Sequence, residues 1–222
     1  SQETMGTDVT IDISQGTCTM KYSPKVQEHI AARHPGIAEI HPLQPDETVQ
    51  GNLEIIYKLD QFLQEISGLD HFTFQPGGGA HGVYTGASIV RAYHAARGDH
   101  DRKEIITTVF SHPCDSAAPH TAGFDVITLM PDENGYADLE AMKAALSEKT
   151  AAIFITNPED TGIYNSRIKE YVDAAHAVGA LCYYDQANAN GMLGIARAKE
   201  AGFDLCHFNL HKTFSVSHQC MG

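Results

Sequence analysis

At 222 residues, 42% hydrophobic and 19% charged, the chain has the composition of a soluble globular protein with room for one full α/β domain and an arm, and no apolar run nears the roughly 20 residues that a membrane helix needs. A net charge of −13 leaves no basic stripe for nucleic-acid phosphates or an anionic membrane, so neither is expected as a partner. Five cysteines, Cys18, Cys114, Cys182, Cys206 and Cys220, are odd in number and lack a C-x-x-C pair, which argues against a disulfide framework or a zinc ribbon; with no leader-like pattern in residues 1–15, reduced thiols and a cytoplasmic location are expected.

Little periodicity appears before Gly16-Thr17-Cys18-Thr19-Met20-Lys21-Tyr22, after which Ser23-Pro24 can open a short helix through Ala32. His41-Pro42-Leu43-Gln44-Pro45 is a proline-punctuated loop, so residues 1–45 read as an N-terminal arm. Asp46 can cap a long helix whose apolar positions Val49, Leu53, Ile56, Leu59, Leu63 and Ile66 recur at helical spacing, with Gly68 as its stop. Residues 46–70 then lead into a domain spanning 71–222. There, Phe72-Thr73-Phe74-Gln75 reads as a strand, 76–79 as a glycine-rich turn and 80–97 as a helix. Strands are expected at 105–110, 126–129, 152–156, 181–185 and 205–210, with helices at 115–122, 138–147 and 166–178 between them. The chain stops ten residues after Lys212, so it looks like a piece of something longer.

Apolar strands separated by helix-length segments imply an α/β fold, a mostly parallel sheet covered on both faces. Ligands of such sheets sit at the carboxyl ends of the strands. The glycine loop, His112, Asn157, Asp185 and Lys212 each follow or end an expected strand, so five chemically capable positions share one edge. Asp185 and Lys212 together suit pyridoxal phosphate (PLP): a lysine can hold it as a Schiff base while a buried carboxylate keeps the pyridine nitrogen protonated. Phe208, Leu210 and Phe214 flank Lys212, and apolar surroundings favour a neutral, nucleophilic amine. Gly77 to Gly82 formally matches G-x-G-x-x-G. The loop can hold a single phosphate at a helix start, serve only as a tight turn, or bind a dinucleotide, though no acid ends the next strand for a ribose. His112 can stack on a flat ring or simply cap its loop. His207 and His211 are four apart but lie on an expected strand without an intervening glutamate, so no metal site is assigned.

These residues resemble a known family. The Gly16–Tyr22 and His41–Pro45 stretches, Gly79-Ala80-His81-Gly82, Thr156-Asn157-Pro158, Tyr184-Asp185 with Ala187-Asn188, and Asn209-Leu210-His211-Lys212-Thr213-Phe214 are similar, in order, to the second subunit, or C-terminal half, of the glycine cleavage system P-protein. The resemblance implies a fold-type-I PLP enzyme, the aspartate aminotransferase fold, with its C-terminal small domain outside this chain. It further implies Lys212 as the Schiff-base lysine, Asp185 as partner of the pyridine nitrogen with Asn188 beside it, and His112 as the ring-stacking residue. Gly79, Ala80 and His81 would hold the phosphate. The implied reaction is decarboxylation of glycine with aminomethyl transfer to the lipoyl group of H-protein, alongside a companion P-protein subunit 1, in a dimer or heterotetramer whose site lies at a subunit interface. The alternatives are a PLP-dependent lyase or transferase acting on another small amino acid, or a non-catalytic scaffold subunit. Three departures stand out: His218-Gln219-Cys220-Met221-Gly222 where the family is glycine-rich, Asp115 where it has asparagine, and Glu159-Asp160 after Asn157-Pro158.

Overall fold

The computed structural model describes residues 25–214 and 216. The Gly16–Tyr22 motif, Ser23-Pro24 and the Gln219–Met221 departure lie outside them. Helices α1 (Lys25–Arg33) and α2 (Pro35–Ala38) and a short 3-10 turn at Asp46–Thr48 precede the long helix α3 (Gln50–Ser67). Asp46 is therefore not the cap of α3, because the 3-10 turn takes up its position and Val49 precedes the helix. Gly68 ends α3 as expected, at φ 77°, a left-handed geometry that glycine adopts without Cβ strain.

Helix α4 (Gly79–Ala96) is followed by a run of alternating elements: β1 (Glu104–Thr108), α5 (Cys114–Thr121), β2 (Asp125–Leu129), α6 (Leu139–Ala145), β3 (Thr150–Thr156), α7 (Ile168–Ala177), β4 (Leu181–Gln186), α8 (Ala198–Ala201), β5 (Leu205–Phe208) and α9 (Leu210–Thr213). Asp138 caps α6, its Oδ1 accepting from the Glu140 and Ala141 amides at 2.9 Å each. The strands run parallel in the order β2-β1-β3-β4-β5. Their carboxyl ends thus share one edge, and the strand order switches direction across the sheet between β1 and β3.

Alternation along the strands divides two cores. Ile106, Ile153, Ile155, Cys182 and Tyr184 face Met142 of α6 and Tyr171 and Val172 of α7. Ile105, Phe154 and Tyr183 face Val83, Ala87 and Val90 of α4 and Ala118 of α5. At the amino-terminal edge, Arg102 donates to Asp99 Oδ2 at 2.6 Å, to the Thr150 carbonyl at 2.6 Å and to the Val178 carbonyl at 2.8 Å, joining three segments. No helix among the described residues is long and apolar enough to cross a membrane.

Two further expectations fail. Phe72-Thr73-Phe74-Gln75 joins no ladder, and side chains seat it instead. The Phe72 amide donates to Asp60 Oδ1 at 2.7 Å and its ring stacks on Phe208 at 5.9 Å, across a groove of about 310 Å³ that separates the segment from β5. Strand β5 also ends at Phe208, not Leu210, because Asn209 starts α9.

Three glycines on one face of α4 let it sit directly on β4 and β5. A Cβ on Gly86 would lie 2.2 Å from Tyr183 Cε2, one on Gly79 2.6 Å from Asn209 Nδ2, and one on Gly82 3.3 Å from His207 Cδ2. Gly86→Ala is therefore expected to destabilise the protein by about 1–3 kcal/mol through overpacking. Gly51→Ala in α3, with nothing within 4 Å of its added carbon, should be neutral or mildly stabilising. Urea midpoints check both, and equal midpoints for the two variants would refute the close approach of α4.

Candidate active site

The lateral register builds the site. Thr156 pairs with Asp185 and Asp185 with His207, so β3, β4 and β5 present three polar side chains in one row at the carboxyl edge. One step back, Phe154 stacks on Tyr183 with ring centroids 4.3 Å apart, on the face that α4 and α5 cover. Period-two alternation puts Thr156, Asp185 and His207 on that same face. They are polar where their neighbours two residues earlier are Phe154, Tyr183 and Leu205.

Asp185 is 3% exposed. Its Oδ1 accepts from the Ala187 amide at 2.8 Å and lies 3.5 Å from His207 Nε2. Burial holds the His207 imidazole below its usual range even though Asp185 pulls the other way, so the ring is neutral. Burial likewise keeps the Tyr183 phenol protonated, and it lies 2.7 Å from His207 Nδ1. A Tyr183 hydroxyl donating to Nδ1 leaves the ring proton on Nε2, the buried atom that lies nearest Asp185 and makes no hydrogen bond.

Lys212 does not end a strand. It lies half-buried in α9, where its amide donates to the Asn209 carbonyl at 2.9 Å, and its charge acts on both Cys114 and His207. Thr213 Oγ1 accepts from the Ala189 amide at 3.1 Å, which ties the Asp185 loop to the lysine helix. His112 stands exposed beyond β1, and its Nδ1 takes the Cys114 amide at 3.1 Å and lies 3.0 Å from Cys114 Sγ, so the ring is oriented by its own loop. Asn188 is exposed and its Oδ1 accepts from the Asn190 amide at 3.1 Å, closing a local turn. Asn157 is also turned to structural use, exchanging bonds of 3.1 and 2.8 Å with the Asn165 main chain. Glu159 is buried and its carboxyl is pushed upward by desolvation, whereas Asp160 is exposed, its amide donating to the Phe110 carbonyl at 3.0 Å.

The amino terminus of α4 supplies Gly79, Ala80 and His81, whose amides have no acceptor within the helix and whose first turn carries no acid. The Asn209 side chain fills the space where a Cβ on Gly79 would stand, and its Oδ1 is buried without a hydrogen-bond partner. For the cofactor expected from the sequence, the donor set fits: first-turn amides for a phosphate, a buried carboxylate for a ring nitrogen, and an amine on α9. Asn209, His207, Tyr183 and Thr156 are members to which sequence reasoning gave no role at this site, His207 having been weighed only as a metal ligand. Only the period-two register of their strands carried a signal for His207 and Thr156.

The aminotransferase class-V family model matches residues 84–217. A Pyrococcus horikoshii chain named "Probable glycine dehydrogenase (decarboxylating) subunit 2" is 50% identical over 203 residues, covering 91% of this chain and 40% of that one. An Alkaliphilus oremlandii chain of the same name is 45% identical over 203 residues, covering 91% and 42%. This chain therefore spans about two fifths of the length of these curated relatives. A solved structure of "glycine decarboxylase (P-protein) of the glycine cleavage system, in inhibitor-bound form" superposes with a TM-score of 0.69 at 22% identity, over 83% of this chain and 40% of that one, a likeness of fold.

A neutral buried His207 makes stability depend on pH. Its folded pKa is lowered, so its contribution is present above the unfolded value near 6.5 and is lost as pH falls below it. Between pH 7.5 and 5.5, wild type should lose up to about 1 kcal/mol more stability than His207→Gln. Denaturant titrations at the two pH values check this, and parallel losses would refute it.

Proposed function

This chain belongs to the aminotransferase class-V family and has the fold-type-I large-domain architecture expected from its sequence, and on that basis we propose that its strand-end site holds pyridoxal 5'-phosphate and that the complete cytoplasmic protein decarboxylates glycine. In this reading the aminomethyl group passes to the lipoyl group of H-protein, with release of carbon dioxide, and a companion P-protein subunit completes the assembly. The observation that carries the proposal is Asp185. It is a buried carboxylate at the end of β4, flanked by a neutral imidazole and standing across the edge from the first turn of α4 and the lysine of α9.

When bound, the cofactor supplies an electron sink for the pair left by the departing carboxylate. Lys212 Nζ is the amine that holds its aldehyde carbon. Asp185 holds a proton on the ring nitrogen, and the Ala187 amide and His207 keep the carboxylate aimed. Gly79, Ala80 and His81 bind the phosphate through main-chain amides, which lets a chain of net charge −13 hold an anion. His112, oriented by Cys114, covers the ring face. Asn188 stands in the loop beside Asp185 and contributes to the same pocket.

The names of the relatives support the choice of glycine and of a two-subunit protein. Exposed Ile55, Tyr57 and Phe62 on α3 support an assembly, since such apolar side chains on one helix suit a partner's surface.

The complete protein, mixed with pyridoxal phosphate, should show the visible absorbance band of a lysine-bound cofactor, lost in Lys212→Ala. Asp185→Asn should keep the cofactor yet slow exchange of carbon dioxide into glycine, with lipoylated H-protein present, by about 100-fold or more. No band, or a band surviving Lys212→Ala, would overturn the cofactor assignment. Normal exchange by Asp185→Asn would remove Asp185 from the chemistry.

A further inference from the structure

A second carboxyl lies against Asp185. Asp115, in the first turn of α5, is fully buried, with no exposed surface. Thr156 Oγ1 donates to its Oδ2 at 3.2 Å. Its Oδ1 is buried with no donor. Carboxylate oxygens of Asp115 and Asp185 and the Cys114 sulfur all lie within 4.8 Å of one another, and neither acid is more than 3% exposed. Two carboxylates packed this closely out of water repel, and since each only accepts, neither can satisfy the other. A proton between them supplies the missing donor.

We propose that Asp115 is a carboxylic acid whose Oδ1–H donates to Asp185, making it a positioning residue that fixes the Asp185 carboxylate and leaves the site one negative charge instead of two. The proton belongs on Asp115 because Asp185 already takes the Ala187 amide and faces His207, whereas Asp115 has only the Thr156 hydroxyl. Around the pair stand Asp160 from the loop after β3, Tyr183 from β4, His207 from β5, Cys114 from α5 and Lys212 from α9. The strongest electrostatic neighbours of Asp115 itself are acids, Asp185 and Asp160, and they add to burial in pushing its carboxyl well above the usual range. The protonation of Asp115 stands without any cofactor; its consequence for the cofactor rests on the function proposed above.

Infrared difference spectra of the complete apo-protein at neutral pH, wild type against Asp115→Asn, should show the carbonyl band of a protonated acid lost in the variant and kept in Glu159→Gln. A carboxylate signal in its place, from a bare or a metal-bridged pair, would overturn the proposal. An acid with a raised folded pKa stabilises fully below its unfolded value and loses that stability as pH rises. The melting temperature of Asp115→Asn should therefore gain on wild type steadily from pH 5 to pH 8, and a constant or shrinking gap would overturn it too. Should Asp115→Asn fail to fold, Thr156→Val serves, because loss of that donor should shift the acid band and would leave a carboxylate silent there. For the positioning role, Asp115→Asn should hold pyridoxal phosphate within about threefold of wild type while Asp115→Ala weakens it tenfold or more. Equal losses in both variants would leave Asp115 no positioning role. An acid band without any cofactor binding would sink the proposed function and leave the pair intact.

Discussion

The site depends on how closely α4 approaches the sheet. Gly79, Gly82 and Gly86 lie on one face of the helix, and where each lacks a side chain, Asn209, His207 or Tyr183 fills the space. Those three residues support what surrounds them: Tyr183 fixes the tautomer of His207, His207 faces Asp185, and Asn209 begins the turn that carries Lys212. The same approach brings the first-turn amides of α4 over the strand ends. A methyl group on this helix face would therefore disturb packing and chemistry together, because a close-packed interior offers little slack to absorb it.

Charge is handled by geometry more than by composition. The chain is strongly acidic, yet its site presents main-chain amides at one end and a carboxyl pair at the other. Cations are not the only way to hold an anion, since a helix start does so with partial charges fixed in place. Crowded acids near the same edge are accommodated separately: Asp115 by a shared proton, Asp160 by exposure to water, and Glu159 by a carboxyl that desolvation pushes toward its neutral form.

The layered fold was legible from alternation alone, because strands buried on both faces must be apolar throughout and the segments between them were of helix length. Asp185 was legible as a strand-end carboxylate. Lys212 was placed correctly at the edge but on the wrong element, since nothing local distinguishes a strand's last residues from the first turn of α9. Phe72 to Gln75 misled for a related reason: its alternating aromatics are those of a strand, but whether such a segment pairs depends on a neighbour distant in sequence. Asn209 against Gly79 was not legible at all, being a contact across some 130 residues between two residues common in turns. Asp115 drew notice only as an unusual acid, and its meaning required Asp185 beside it.

Arg102 sits at the opposite edge, tying the starts of three segments through one guanidinium. One fastening of the sheet is thereby housed at the far end of the same strands from the site. Loops at the carboxyl edge can be exchanged without loosening what holds the sheet together, so the scaffold is permissive to innovation.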